Sequence, residues 1–397
     1  MKILEISHLY PVNYDPFLGM AVHKQVKHIK KLGCEVKVIQ SISWTPFPVK
    51  YLNKKWGNYS DIPIYNIVDY VEVYYPRFID FPNKYFLSSS GVRMYYGIKS
   101  IIKKISNFFP FDLVHAHTAL SDGYAGMLIA KEYKKPLVVT IRGTDIDINL
   151  NRNQKCYSSL LKVVNNANEI ISPSFQLSKK FNQYFEKRIS TICNGIETYE
   201  IYTNDNRPKK YQNYKILLSV SRLISTKGID LNLHALKELV TRFNNIIYLI
   251  IGEGPFKQYL NKLAIDLGVE KYVIFLGQLP HKKVMEYMSI CEIFTMPSWQ
   301  ETFGLVYVEA MAHGKPIIGC QGQGVDGIVM DGKTGLLVKP KDVDSLIEAL
   351  DFLLRNPKEA KIIGEKARKI VLENYTWEKN AEKTISIYKK AIYGNSL

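Results

Sequence analysis

Short apolar runs return along the whole length of this chain, each followed by a longer stretch that carries a helical stripe. The runs lie at 2–6, 36–40, 113–115, 137–141, 169–171 and 189–192. After a gap they resume at 216–220, 246–251, 272–275, 293–296, 316–319 and 336–338. Several are almost wholly apolar, the pattern of parallel strands covered on both faces. Between them, Val22, Val26, Ile29 and Leu32 share one helical stripe, Lys24, Lys27, Lys30 and Lys31 lie mostly off it, and Gly33 follows as a stop. Strand–helix alternation of this kind predicts an α/β protein built on doubly wound parallel sheets. With 397 residues, 46% of them hydrophobic, the chain is too long for one core and suits two domains of about 200 residues.

The alternation lapses once, over residues 199–214, a polar stretch containing Asn204, Asp205, Asn206, Arg207 and Pro208. We read it as a linker. The expected organisation is a Rossmann-like domain over 1–198, the linker at 199–214, a second Rossmann-like domain over 215–374, and a closing segment at 375–397. Ligands of such sheets bind outside the carboxyl ends of the strands.

The net charge is +16, and the first 200 residues hold 26 basic against 16 acidic side chains. That balance favours anionic partners: phosphorylated small molecules, an acidic membrane face, or nucleic acid. The basic residues are scattered in pairs such as Lys30-Lys31, Lys103-Lys104 and Lys179-Lys180, and no nucleic-acid-binding signature occurs, so nucleic acid is set aside. Five widely spaced cysteines without a C-x-x-C pair argue against a zinc cluster or a disulfide framework and suit a reducing cytoplasm. Glu5 interrupts the first apolar run too early for a signal-peptide core, and no run is long enough to span a bilayer. The expected location is the cytoplasm, with peripheral contact at the inner membrane face. Residues 44–86, rich in aromatic and cationic side chains such as Trp44, Phe47, Tyr51, Lys54 and Phe86, are where such a contact, or a growing glycan, would be received.

Three stretches carry candidate chemistry. In residues 297–314, a helix opens near Thr302 to Gly304, and Glu301 and Glu309 stand eight residues apart. Along a helix that is on the order of 8–12 Å, the reach from hexose hydroxyls to ribose hydroxyls in an extended nucleotide sugar. Glu301 would hold the sugar and Glu309 the ribose, while the N–H groups of Phe303, Gly304 and Leu305 at the helix start would face the phosphates. In residues 220–228, Arg222 and Lys227 follow a strand and would neutralise a diphosphate in place of a metal. In residues 111–118, His115 and His117 point to the same side of a strand. No third metal ligand stands at useful spacing, and His117, at the strand end, is expected to bond substrate hydroxyls.

Together these stretches resemble glycosyltransferase family 4, retaining enzymes of the GT-B fold. The signature stands as Pro297-Ser298, Glu301, Phe303-Gly304-Leu305, Glu309-Ala310-Met311-Ala312, Gly314 and Pro316. Its companion loop is Ser221-Arg222-Leu223 with Lys227-Gly228, and Gly252, Gly254-Pro255, Asn194-Gly195 and Tyr375-Thr376-Trp377 follow the same pattern. The resemblance implies two Rossmann-like domains facing across a cleft, with the last helix crossing back to the first domain. It implies a nucleotide-sugar donor, a UDP-sugar in first place, and a glycan or lipid-linked acceptor in cell-surface polysaccharide or glycolipid synthesis. Catalytic groups would be Arg222, Lys227, Glu301 and His117. Donor contacts would be Gly19, Arg222, Lys227, Glu301, Thr302, Phe303, Gly304, Leu305 and Glu309. His117, Arg142 and Asp145 would face the acceptor, and neither cofactor nor catalytic metal is expected. Arg142 departs from the family, where a histidine often precedes the glycine that is Gly143 here; a cation there suggests an anionic acceptor or sugar. Alternatives are a GT-B nucleotide-sugar epimerase or hydrolase, or a non-catalytic nucleotide-sugar-binding protein.

Overall fold

The computed structural model describes residues 1–201 and 207–394, so residues 202–206 of the expected linker lie outside the described residues. The chain divides into two compact units. The first comprises Met1–Pro173, Leu177–Asn194 and the closing segment from Trp377; the second comprises Ser174–Gln176 and Gly195–Thr376. The division thus falls ahead of the polar stretch at 199–214.

The first unit holds an eight-stranded sheet. Its strands are β1 (Lys2–Ile6), β2 (Glu35–Ile39), β3 (Tyr65–Val68), β4 (Val71–Tyr74), β5 (Leu113–His117), β6 (Leu137–Thr140), β7 (Glu169–Ser172) and β8 (Ser190–Thr191). Their spatial order is β8-β7-β6-β5-β1-β2-β4-β3, parallel except for the β3–β4 hairpin at one edge. Side chains alternate across the sheet as a two-residue period requires. Leu4, Ile6, Val114 and Ala116 face a core closed by Met94, Ile98, Ile102 and Ile105 of the helix Ser90–Phe108. Ile3, Val36, Val38 and Leu113 face the other, closed by Val22, Val26 and Ile29 of Met20–Lys31 and by Ala381 and Tyr388 of Trp377–Tyr393. Each Val, Leu, Ile or Met side chain among them contributes about 1.5–3 kcal/mol when fully buried. The β3–β4 hairpin was not resolved from the sequence. β3 alternates between exposed and half-buried residues, so it lacks the buried run that marks a central strand.

The second unit holds six parallel strands, β9 (Lys215–Val220), β10 (Ile246–Ile251), β11 (Val273–Gly277), β12 (Ile293–Thr295), β13 (Ile317–Cys320) and β14 (Leu336–Val338). Their order is β11-β10-β9-β12-β13-β14. All six residues of β10 are buried, which is why its sequence shows no polar alternation. In both sheets the order reverses beside the first strand: between β1 and β5 in one, between β9 and β12 in the other. At such reversals neighbouring loops leave in opposite directions and open a crevice.

The closing helix belongs to the first unit through polar as well as apolar contacts. Gln25 donates to Asn380 (2.9 Å) and Thr384 (3.1 Å), and Asn380 donates to the Cys193 carbonyl (2.8 Å). The Tyr388 hydroxyl, wholly buried, donates to Glu5 (3.0 Å) and lies 2.7 Å from His115 Nδ1. Tyr388→Phe removes that hydroxyl and leaves buried polar partners short, which should cost about 1–3 kcal/mol; urea unfolding followed by circular dichroism should show the lower midpoint.

Candidate functional site

In the second unit, the loops after β9 and β12 meet at the strand-order reversal. Ser298 Oγ (3.0 Å) and the Trp299 amide (3.1 Å) both donate to the Thr226 carbonyl. Gly228 sits between them at φ +70°, where a Cβ would lie 2.5 Å from the Pro297 carbonyl oxygen. No other residue allows the loops to approach so closely. This contact brings Lys227 Nζ to 2.6 Å from Glu301 Oε2, both side chains 17% exposed. The other carboxylate oxygen of Glu301 accepts from the amides of Thr302 (3.1 Å) and Phe303 (3.4 Å). Lys227 and Glu301 therefore act as a unit rather than as a separate cation and hydroxyl acceptor.

The helix Leu305–Ala312 starts behind a left-handed Gly304 at φ +78°, one to three residues later than the sequence places it. Glu301 takes the amides of Thr302 and Phe303, so the Gly304 and Leu305 amides are the ones that make no hydrogen bond among the described residues. Phe303 is buried, and Thr302 and Leu305 are half-buried. Arg222 is exposed, and its guanidinium makes no hydrogen bond or ion pair among the described residues. Of the donor-side residues named from sequence, Arg222, Lys227 and residues 301–304 lie on two touching loops, Leu305 and Glu309 on the helix that follows, and Gly19 in the first unit.

Glu309 has a partner that sequence reasoning missed. His281, first residue of the helix His281–Ile290, places Nε2 2.9 Å from Glu309 and Nδ1 3.5 Å from Glu200. The hydrogen bonds to Glu200 and Glu309 lift the imidazole to about 9, so it is a cation at neutral pH and fixes the Glu309 carboxylate. The signal was a histidine just after Pro280 at a helix start, which is common enough to carry no meaning by itself. Because its folded value lies above the usual 6.5, this group stabilises the protein fully below pH 6.5, and the contribution fades as pH rises through about 9. His281→Gln should flatten the urea midpoint against pH between 6.5 and 9.5; an unchanged slope would separate the titration from this pair.

In the first unit, β1 and β5 assemble a buried polar cluster at the other strand-order reversal. His117 Nε2 lies 2.8 Å and His115 Nδ1 3.1 Å from Glu5 Oε2, and all three side chains are inaccessible. His115 Nε2 lies 2.8 Å from Thr140 Oγ1. Burial alone would raise the Glu5 carboxyl, but the contacts with His115 and His117 outweigh it and hold Glu5 ionised, far below the carboxylate range. Burial pushes His117 down to about 3, so its ring is neutral. The network then assigns the proton to Nε2, facing Glu5, and leaves Nδ1 to accept from Arg142 Nη2 at 3.3 Å.

These positions correct three expectations. Glu5 is the third group of metal-ligand type beside His115 and His117, and their donor atoms lie within 4.8 Å of one another. It was invisible in the sequence because it comes from a strand more than a hundred residues away. Both histidines already bond Glu5, and the Arg142 guanidinium stands against the cluster. His117 is not positioned to bond substrate: it is wholly buried with both ring nitrogens engaged, and it positions Arg142 instead. Asp145 is likewise wholly buried, because its carboxylate accepts from the amides of Ala119 (3.0 Å), Leu120 (3.4 Å) and Arg142 (2.9 Å); it ties loops together. Arg142 is half-buried, forms no ion pair among the described residues, leaves Nε without a partner, and is brought down to about 10 by burial. Gly19, at φ +64°, packs against the Leu9 carbonyl, where a Cβ would lie 2.2 Å away; the loop's own close packing already requires glycine there.

Two family models match the chain: Glycosyltransferase Family 4 over residues 18–200 and Glycosyl transferases group 1 over residues 201–370. The chain belongs to the family 4 type of glycosyltransferase. It is a transferase enzyme with the GT-B fold. It is 26% identical to the putative teichuronic acid biosynthesis glycosyltransferase TuaC of Bacillus subtilis (strain 168) over 357 residues, 88% of each chain. Among solved structures it resembles sucrose-phosphate synthase of Thermosynechococcus elongatus, with a TM-score of 0.78 and 20% identity over 98% of both chains. It also resembles Alr3699/HepE of Anabaena, solved with UDP and glucose, with a TM-score of 0.71 and 19% identity over 98% of this chain and 100% of that one. No helix among the described residues is long and apolar enough to cross a membrane.

Proposed function

We propose that this glycosyltransferase is a retaining, metal-independent enzyme that moves a sugar from a nucleotide diphosphate sugar, a UDP-sugar in first place, to a glycan or lipid-linked acceptor in polysaccharide or glycolipid synthesis. The observation that carries the reading is the Lys227–Glu301 pair, set beside the Gly304 and Leu305 amides where the second sheet reverses its strand order. A leaving nucleotide diphosphate gains negative charge. Lys227, Arg222 and the two amides supply fixed positive ends for it, the work a divalent ion does elsewhere. Glu301 would orient the sugar, and Glu309, steadied by His281, the ribose. No protein nucleophile is assigned, and a donor phosphate oxygen takes the acceptor proton. HepE, solved with UDP and glucose, supports the donor class, and the TuaC name supports a cell-surface polymer.

On the acceptor side, Arg142 would meet an anionic group. The exposed aromatics Trp44, Phe47, Tyr51, Tyr85 and Phe86, with exposed Lys54 and Lys84 among them, suit the surface of an anionic bilayer.

The test is a thermal-shift screen of UDP-, GDP- and ADP-sugars, followed by turnover of the best donor with and without EDTA and assignment of the product anomer. We expect a UDP-sugar to stabilise the protein, EDTA to leave turnover unchanged, and the anomeric configuration to be retained. Lys227→Ala should lower kcat by about 10²–10³. Loss of activity in EDTA, or an inverted product, would overturn the mechanism. Arg142→Ala should raise the acceptor KM and leave the donor KM alone.

A further inference from the structure

A cavity of about 390 Å3 opens in the second unit, at the opposite end of the sheet from the Lys227–Glu301 pair. Lys215 begins β9, Ile293 begins β12 and Pro316 precedes β13, so these wall residues stand at the amino ends of strands. Lys227 and Glu301 follow the carboxyl ends of β9 and β12 instead. β9 alone is six residues long, about 20 Å. The volume is that of a small-molecule site, which spans roughly 300–1,000 Å3.

Close packing of two glycines shapes the wall. A Cβ on Gly364 would lie 2.0 Å from the Gly314 carbonyl oxygen, so only bare backbone lets the helix Pro357–Asn374 approach the turn before β13. That approach puts Lys361, one turn ahead of Gly364 on the helix, on the same wall as Lys315, which follows Gly314. The Lys315 amide donates to the Ala310 carbonyl (3.1 Å), and Pro316 restricts the backbone on its other side. The base of the Lys315 side chain is therefore fixed.

The charged groups of the wall are Arg207, Lys215, Lys315 and Lys361 against the single carboxylate Glu292. That carboxylate is already taken. One oxygen accepts from Arg207 Nη2 (2.7 Å) and the other from the Ile216 amide. The arginine and Glu292 thus cancel, and three lysines remain without a carboxylate in the cavity. Lys215 Nζ donates to the Leu354 carbonyl at 3.0 Å, a neutral partner. Lys361 lies 3.9 Å from Glu365, with both side chains largely exposed, a contact worth little. Lys315 is half-buried, and its ammonium makes no hydrogen bond or ion pair among the described residues.

Like charges gathered on a concave wall repel one another and focus a positive field into the space between them. An anion relieves that repulsion. Each ammonium can only donate, so the fitting anion offers several acceptor oxygens, as a phosphate does. The rest of the wall is largely apolar, with Leu353, Leu354 and Pro357 in it, and suits an uncharged body attached to that phosphate. We propose that this cavity binds a small phosphate ester, its phosphate held by Lys215, Lys315 and Lys361, at a site separate from the donor crevice. The assignment stands independently of the sugar-transfer mechanism.

The test is isothermal titration calorimetry on the full chain with glycerol 1-phosphate, glucose 6-phosphate, inorganic phosphate and glucose. One of the two esters should bind, inorganic phosphate more weakly, and glucose not at all. Lys315→Ala should leave the Tm of the free protein unchanged, because its ammonium bonds nothing in the fold. It should nevertheless weaken the ester about ten- to a hundredfold, the worth of one charge-assisted hydrogen bond. Lys361→Ala should weaken it likewise. Lys227→Ala, which disables the donor crevice, should leave the ester affinity as it was. Loss of ester binding in Lys227→Ala would move the ligand to the donor crevice and overturn the proposal. So would unchanged affinity in both Lys315→Ala and Lys361→Ala, inorganic phosphate or glucose binding as tightly as the ester, or no binding by either ester.

Discussion

The reversal of strand order beside the first strand of each sheet governs the rest of this molecule. In the second unit it sends the loops after β9 and β12 out side by side, and only there can residues 74 positions apart form the Lys227–Glu301 pair. In the first unit the same rule sets β1 against β5, so that Glu5 meets His115 and His117. A parallel sheet thus concentrates its chemistry at one point because its topology does.

Much of the fold was legible because it rests on pattern. β10 is buried at every residue, and its run of apolar residues reads as a central strand without further help. The β3–β4 hairpin was not legible: β3 lies at an edge, and its exposed residues are the apolar Tyr65 and Ile67 while polar Asn66 is half-buried, the reverse of the usual alternation. Pairing with β4, rather than its own pattern, makes it a strand.

Site residues divided along the same line. Arg222, Lys227, Glu301 and Glu309 could be singled out in advance because each sits in a local motif, on a loop or on the helix Leu305–Ala312. His281 and Glu5 were missed because their meaning arises only from long-range contact: Glu5 lies 112 positions from His117. Burial, which the sequence cannot show at a single histidine, also reversed the reading of His117. A strand-end histidine looks available until a carboxylate on the neighbouring strand and an arginine occupy both its nitrogens.

The first unit is stitched from both extremities of the chain, whereas the second runs almost unbroken from Gly195 to Thr376. During synthesis, therefore, the second unit can complete its core while the first still waits for the helix that brings Tyr388 to Glu5. Until that helix leaves the ribosome, an ionised carboxylate and two histidines stand without their final hydroxyl, and the part of one apolar face that Ala381 and Tyr388 cover lies open. Domains that emerge early usually fold early; here the order is inverted, and the nascent amino-terminal half is the part most in need of protection from aggregation.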